Sequence, residues 1–282
     1  MLGGLVSNLR IIYANLADQA VLSASSTAGS LGVVNLRTER KGEPHRSVGT
    51  SVTFTLTWSA AQVLSGVAIP ACNLTPTATM RVQAWDAEAG GVQLLDTGVV
   101  DACSGQTATA ADWGHPVTAA LFSFGAVSKV ATWFAESPGV RRLQIDLADP
   151  GNPAGFIDCS RLVVGKSWSP RWGASRGLTY STDDQSDVSW SDAGSAIVDR
   201  GPVRDQLSMS LDTLLPDDRA ELDRIVRLVG SRRPILVAMA LAVSDASLDH
   251  STLIYGYRKS APMTVPGGLV YRHVLTIDGW KE

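Results

Sequence analysis

Alternation dominates the first half of the chain. Across residues 51–58, Val52, Phe54, Leu56 and Trp58 take every second position, with serine and threonine between them. A period of two sends one set of side chains to a core and the other to water, as in a half-buried strand. Residues 63–69, 79–85, 92–95, 130–134, 141–147 and 161–164 carry shorter versions of this pattern. Turn-forming clusters separate them: Ala89-Gly90-Gly91, Ser104-Gly105, Ser137-Pro138-Gly139 and Asp149-Pro150-Gly151-Asn152-Pro153. Glycine supplies positive φ there, and proline fixes φ and removes a donor. No helix of useful length fits residues 8–164. Strands at this spacing predict an antiparallel β-sandwich or jelly roll.

The pattern changes near residue 166. Residues 171–180 and 188–190 read as strand pieces around a polar loop at 181–187, and 195–211 form one long, partly alternating segment. Then comes the one convincing amphipathic helix, at about 216–230. Pro216 suits the first turn, Asp217 and Asp218 favour the positive end of the helix dipole, and Gly230 is a natural stop. Leu222, Ile225, Val226 and Val229 fall at i, i+3, i+4 and i+7, a single apolar stripe. Pro234 opens an apolar run of strand length, followed by strands at 250–259 and 269–277 with a linker at 261–268 between them. The expectation is a mainly β protein of two domains. Residues 1–165 form a sandwich or jelly roll, and residues 166–282 form a β-sandwich or split barrel with one α-helix.

Composition narrows the function classes. A chain of 282 residues holds two ordinary domains, and 45% hydrophobic with 18% charged residues is a globular balance. A formal charge of −3 argues against a general nucleic-acid binder, because no basic excess exists to release counterions. No stretch approaches 18 apolar residues, so no membrane-spanning helix is expected. The first twenty residues lack the pattern of a secretory signal, so export as a secretory product is not the expected route. Cys72, Cys103 and Cys159 are far apart and odd in number. With no C-x-x-C pair, they read as buried thiols of a reducing compartment, neither a zinc site nor a disulfide framework.

The usual catalytic patterns are missing. His45, His115, His250 and His273 are isolated, and neither H-E-x-x-H, G-x-S-x-G, Walker A nor G-x-G-x-x-G occurs. The expectation is therefore a non-enzyme with no metal and no cofactor. Tryptophan is more informative. Trp58 and Trp85 lie on strands and read as core. Trp113 sits in a loop beside Asp112 and His115, where a flat ring can stack on a sugar. Trp168, Trp172 and Trp190 gather after the boundary and read as packing between domains or subunits, with an oligomer interface as the working expectation, in preference to a ligand platform.

The segment Ala20-Val-Leu-Ser-Ala-Ser-Ser-Thr-Ala-Gly-Ser, then Val34-Asn35-Leu36 and His45-Arg46-Ser47, resembles the opening of discoidin-like carbohydrate-binding jelly rolls. It looks most like those carried by tail proteins of long-tailed bacteriophages. The likeness covers about residues 20–165 and points to His45 and Arg46 as ligand-binding residues, which the loop residues Trp113 and His115 join as candidates. Thr38-Glu39 stands where that family has an aspartate, and His45 replaces its tryptophan, so weak saccharide binding is expected. Residues 166–282 resemble the tail-tube-like ring domain of phage distal tail and baseplate proteins. The matching parts are the strand ending at Leu211, the helix, the strand from Pro234, Leu253-Ile-Tyr-Gly-Tyr and Val274-Leu-Thr-Ile-Asp-Gly-Trp. The domain order is reversed relative to many distal tail proteins, unless strands before Asn15 belong to the ring domain.

The two resemblances together imply a structural virion protein at the phage tail tip, made in the host cytoplasm. It would close a ring of its own copies, a hexamer, joining tail tube to baseplate. Its neighbours would be the tail tube, tape-measure and baseplate hub proteins, and host saccharide would be a further contact. The alternative is a stand-alone carbohydrate-binding adhesin module. A glycan-cleaving tail enzyme is a third reading.

Overall fold

A computed structural model describes residues 9–103, 128–174, 178–192, 194–199, 201, 203–239, 253–259, 263–267 and 270–280. In chain order the first strands are β1 (Leu9–Ile12), β2 (Val21–Ala24), β3 (His45–Arg46), β4 (Ser51–Cys72), β5 (Thr79–Trp85), β6 (Gln93–Asp101), β7 (Ser128–Ala148), β8 (Asp158–Cys159) and β9 (Val163–Gly165). The rest are β10 (Thr179–Asp184), β11 (Asp187–Trp190), β12 (Ala196–Asp199), β13 (Val203–Leu214), helix α1 (Pro216–Val229), β14 (Pro234–Met239), β15 (Ile254–Arg258), β16 (Met263–Gly267) and β17 (Val270–Gly279). The protein is mainly β with antiparallel pairing and divides into two compact units. One contains Ile12–Trp168, and the other contains β1 up to Ile11 together with Ser169–Ala240 and the chain from Ile254 onward.

The first unit is built on one long strand pair. β4 and β7 run antiparallel from Ser51↔Ala148 to Cys72↔Ser128, with register shifts between Thr57 and Gly66. Those shifts bend both strands, so each contributes to two layers. Before the bend the order is β2-β4-β7-β5-β6; beyond it β4 meets β9 and β8, and β8 meets β3. Phe54, Leu56, Val82, Leu143 and Ile145 from one stretch share a single core with Leu64, Val67 and Ile69 from the other. The bend falls on exposed small residues, Ser59-Ala60-Ala61. The sequence pattern breaks there, which is why 63–69 read as a separate strand and 130–134 and 141–147 as two.

In the second unit the sheet order is β1-β14-β15-β17-β13-β10, with β16 paired to β17. β1 thus lies beside β14; the sequence placed residues 1–165 in one block but left strands before Asn15 open to the second domain. Alternation in β13 and β17 is clean: Leu207↔Ile277, Met209↔Leu275 and Leu211↔His273 are buried pairs. α1 lies on these two strands and buries Leu222, Ile225 and Val229. Gly230 takes φ 60° and its N–H returns to the Val226 carbonyl at 2.9 Å, a glycine cap at the expected position. Two expectations are corrected. The polar stretch 181–187 is mostly strand, because Thr179–Asp184 pairs with β13 and Asp183 meets the Arg204 guanidinium across it at 2.7 Å. The linker 261–268 contains β16.

Candidate functional site

The site grows from two strands of two residues each. β3 pairs with β8 so that His45 faces Cys159 and Arg46 faces Asp158. Successive residues of a strand point to opposite sides, so one pair goes inward and the other outward. His45 takes the inward place and is fully buried. Its ring meets Phe54 edge-on at 5.1 Å, and Nε2 donates to the Ser26 carbonyl at 3.1 Å. Burial lowers its pKa below the ordinary value, against the opposing pull of Ser26 and Asp158. A ring with no exposed surface does not meet a ligand, so the role expected for His45 is not the one its position allows.

Arg46 takes the outward place. Its Nε and Nη2 donate to Asp158 Oδ1 and Oδ2, both at 2.8 Å, a bidentate fork. The guanidinium carbon lies 3.8 Å from the centre of the Phe156 ring. The Asp158 hydrogen bonds raise the Arg46 pKa further above its already high range. The pair is neither buried nor free: the Arg46 side chain is 36% exposed and that of Asp158 20%.

The loop carrying Phe156 and Asp158 is held by a chain of side-chain bonds. Asp149, fully buried, accepts from Thr75 N at 2.8 Å, Thr75 Oγ1 at 2.6 Å and Asn152 Nδ2 at 3.1 Å. Asn152 also donates to the Asn73 carbonyl. Asn73 in turn donates to the Phe156 carbonyl at 3.0 Å and accepts from the Asp158 N–H at 2.8 Å. On the other side Ser47 Oγ accepts from Ile157 N at 2.8 Å, and exposed Val48 donates its N–H to Ser26 Oγ. Such satisfied networks fix a loop on a rigid scaffold, where binding groups are commonly found. The sequence reading missed Asn73, Phe156 and Asp158. The Asp149-Pro-Gly-Asn-Pro run was the available signal, and it read only as a turn.

The other sequence candidates scatter. Trp113 and His115 lie outside the described residues. Glu39 binds Arg161 at 3.0 Å, and Arg161 also forks onto Asp18 at 2.6 and 2.8 Å. Trp58 is core, its Nε1 donating to the Leu16 carbonyl at 2.9 Å. Trp85 is not core: it lies on the outer face of the sheet, with the Arg142 guanidinium 4.2 Å from its ring centre. Trp168 ends the first unit and is partly buried, while Trp172 and Trp190 belong to the second and are exposed.

No family model matches the chain, and no curated protein matches it. Solved structures that it resembles are carbohydrate-active proteins and carbohydrate-binding modules. A GH29 fucosidase of Ruminococcus gnavus in complex with fucose is similar over 55% of this chain and 27% of its own, at 13% identity and a TM-score of 0.38. This chain thus matches about a quarter of that enzyme. Chitosan-binding module 1 from a chitosanase/glucanase of Paenibacillus sp. IK-5 is similar over 54% of this chain and 99% of its own, at 12% identity and a TM-score of 0.37. CpGH89CBM32-5 from Clostridium perfringens, in complex with GalNAc-β-1,3-galactose, covers 54% and 100%, at 8% identity and a TM-score of 0.37. At such identities and scores the likeness does not extend to function.

Proposed function

We propose that the protein binds saccharide, weakly and without turnover, through the Arg46–Asp158–Phe156 cluster at the loop end of its jelly-roll unit. The observation that supports this reading is the fork and the ring together. Arg46 commits Nε and Nη2 to Asp158, which leaves Nη1 outside the fork. Asp158 keeps lone pairs beyond the two it shares. A pyranose presents hydroxyls at its rim and a C–H face, and a charged planar fork beside an aromatic ring complements both. Titration of the full chain against arrayed neutral, amino and uronic oligosaccharides is the test. Arg46→Ala and Phe156→Ala should each weaken binding about tenfold or more, the loss of roughly 1.4 kcal/mol or greater. Binding that survives both substitutions, or no binding to any sugar, would reject the reading.

A second reading concerns the other unit. We infer that it assembles copies of the chain, as a ring component of a phage tail tip among tail tube, tape-measure and baseplate hub neighbours in the virion. The observation that favours assembly is the exposed apolar face of the β11–β12 hairpin, described below. The mass of the full chain by light scattering, alone and with tail proteins, tests it. A monomer in every mixture would leave the stand-alone binding module as the better description.

A further inference from the structure

Two of the three cysteines, 87 positions apart in sequence, are direct cross-strand neighbours: Cys72 at the end of β4 stands opposite Cys159 of β8. Ser160 N donates to the Ala71 carbonyl at 2.9 Å, and Asn73 N to the Asp158 carbonyl at 3.2 Å. Those bonds flank the pair and do not join it, so Cys72 and Cys159 form a non-hydrogen-bonded antiparallel pair. In such pairs the Cα atoms are about 4.5 Å apart and the side chains lie closer than at the alternate positions. That separation is at the short end of the span a disulfide bridges, about 4.4–6.8 Å. Both thiols face the same core and are buried.

We propose that Cys72 and Cys159 are a cross-strand dithiol that stays reduced in the cell that makes the protein and closes to a disulfide in an oxidising medium. Cys103 is the unpaired third thiol. It lies against the same core and donates to the Leu74 carbonyl at 3.8 Å, but among the described residues no strand register sets it opposite either partner. The oxidant is a low-molecular-weight disulfide such as oxidised glutathione. One cysteine thiolate attacks it, forming a mixed disulfide and releasing one glutathione thiolate. The second cysteine thiolate attacks the mixed disulfide at the protein sulfur, forming the Cys72–Cys159 bond and releasing the second glutathione. The cysteines lose two electrons, the glutathione disulfide gains them, and the two cysteine protons end on the released thiols.

Burial also sets the rate. It raises both thiols well above their ordinary range, which keeps the native pair unreactive. Reaction therefore proceeds through opening of β8, a strand of only two residues. The bridge would lie next to Asn73 and Asp158, beneath the loop that carries Phe156.

The experiment refolds the full chain from urea with and without oxidised glutathione, then alkylates under denaturing conditions and maps the peptides by mass spectrometry. The expected product is a Cys72–Cys159 cross-link with Cys103 alkylated, together with a melting temperature higher by roughly 5 °C or more. Cys103→Ser should still form the bridge, whereas Cys159→Ser should not yield a Cys72–Cys103 bond in its place. Should Cys103→Ser fold poorly, the map of the unaltered chain decides. Three alkylated thiols, stable glutathione adducts, or a cross-link that includes Cys103 would each overturn the proposal.

Discussion

In β4, the alternating residues Phe54, Leu56 and Trp58 are buried, whereas in the β11–β12 hairpin the alternating Val188, Trp190 and Val198 are 51%, 70% and 55% exposed. Both segments have the period of a half-buried strand, and both are strands. The difference lies in what opposes them. β4 and β7 bend through their register shifts and supply their own second layer, so the apolar face of one half is covered by the other. β11 and β12 are four residues each and, among the described residues, pair only with one another in a two-stranded sheet. Alternation therefore specifies an extended backbone and a face; it does not specify a cover.

The largest effect should come from emptying a covered face. Phe54→Ala removes a fully buried ring from the jelly-roll core and should cost about 3–5 kcal/mol. Leu222→Ala, on the buried face of α1, should cost about 2–5 kcal/mol in the other unit. Arg224, exposed and paired with Glu221 on the same helix, should tolerate alanine within about 0.5 kcal/mol. Urea unfolding followed at a probe in each unit measures all three. Near-equal losses at Leu222 and Arg224 would mean that the helix does not present the stripe described.

A smaller effect separates two buried histidines. His45 has a partner through Nε2, but among the described residues neither ring nitrogen of His273 has one. Burial is the first cause lowering both pKa values. At His273 nearby Arg258 lowers it further while Asp223 opposes, and at His45 the Ser26 carbonyl and Asp158 oppose. With the folded pKa depressed, the unfolded chain binds the proton first as pH falls below about 6.5. Their contribution to stability is thus complete above that pH and is lost as pH drops through the folded pKa. His273→Leu should flatten the acid limb of the second unit's stability profile, and His45→Gln that of the first, in unfolding curves between pH 7 and 5. A slope unchanged by both substitutions would assign the acid response to carboxylates.

What the sequence made legible was local. The helix from Pro216 with its Gly230 stop, the strand at 79–85 and the alternation of 51–58 follow from neighbours a few positions apart, and each is where the pattern put it. What stayed hidden was non-local or two-sided. Arg46 meets Asp158 112 positions away, and although strands before Asn15 were open to the second domain, nothing pointed to β14 as the partner of β1. No periodicity encodes either pairing. In a strand of two residues the pattern cannot say which one faces the core, so His45 and Arg46 looked equivalent until their faces were known. Trp85 misled for a related reason: a large aromatic on a strand suggests core, yet a stacked guanidinium can cover it as well as a second sheet can.

The smallest effect on stability is expected on the hairpin, and it tests the comparison most directly. Cross-strand partners share a face, so Val188 with Val198 and Trp190 with Ala196 make one apolar surface, while Ile197 lies opposite with Ser189. Because these side chains are already in water, Trp190→Ala should change the unfolding free energy by no more than about 0.5 kcal/mol. An exposed apolar patch of this kind on a soluble protein usually marks a contact with another molecule. Trp190→Ala and Val188→Ser should therefore lower the mass of any assembly seen by light scattering, with Ile197→Ser, on the other face, doing less. If Trp190→Ala instead costs as much stability as Phe54→Ala, the hairpin is covered within its own chain, and the contrast between the two strand pairs collapses.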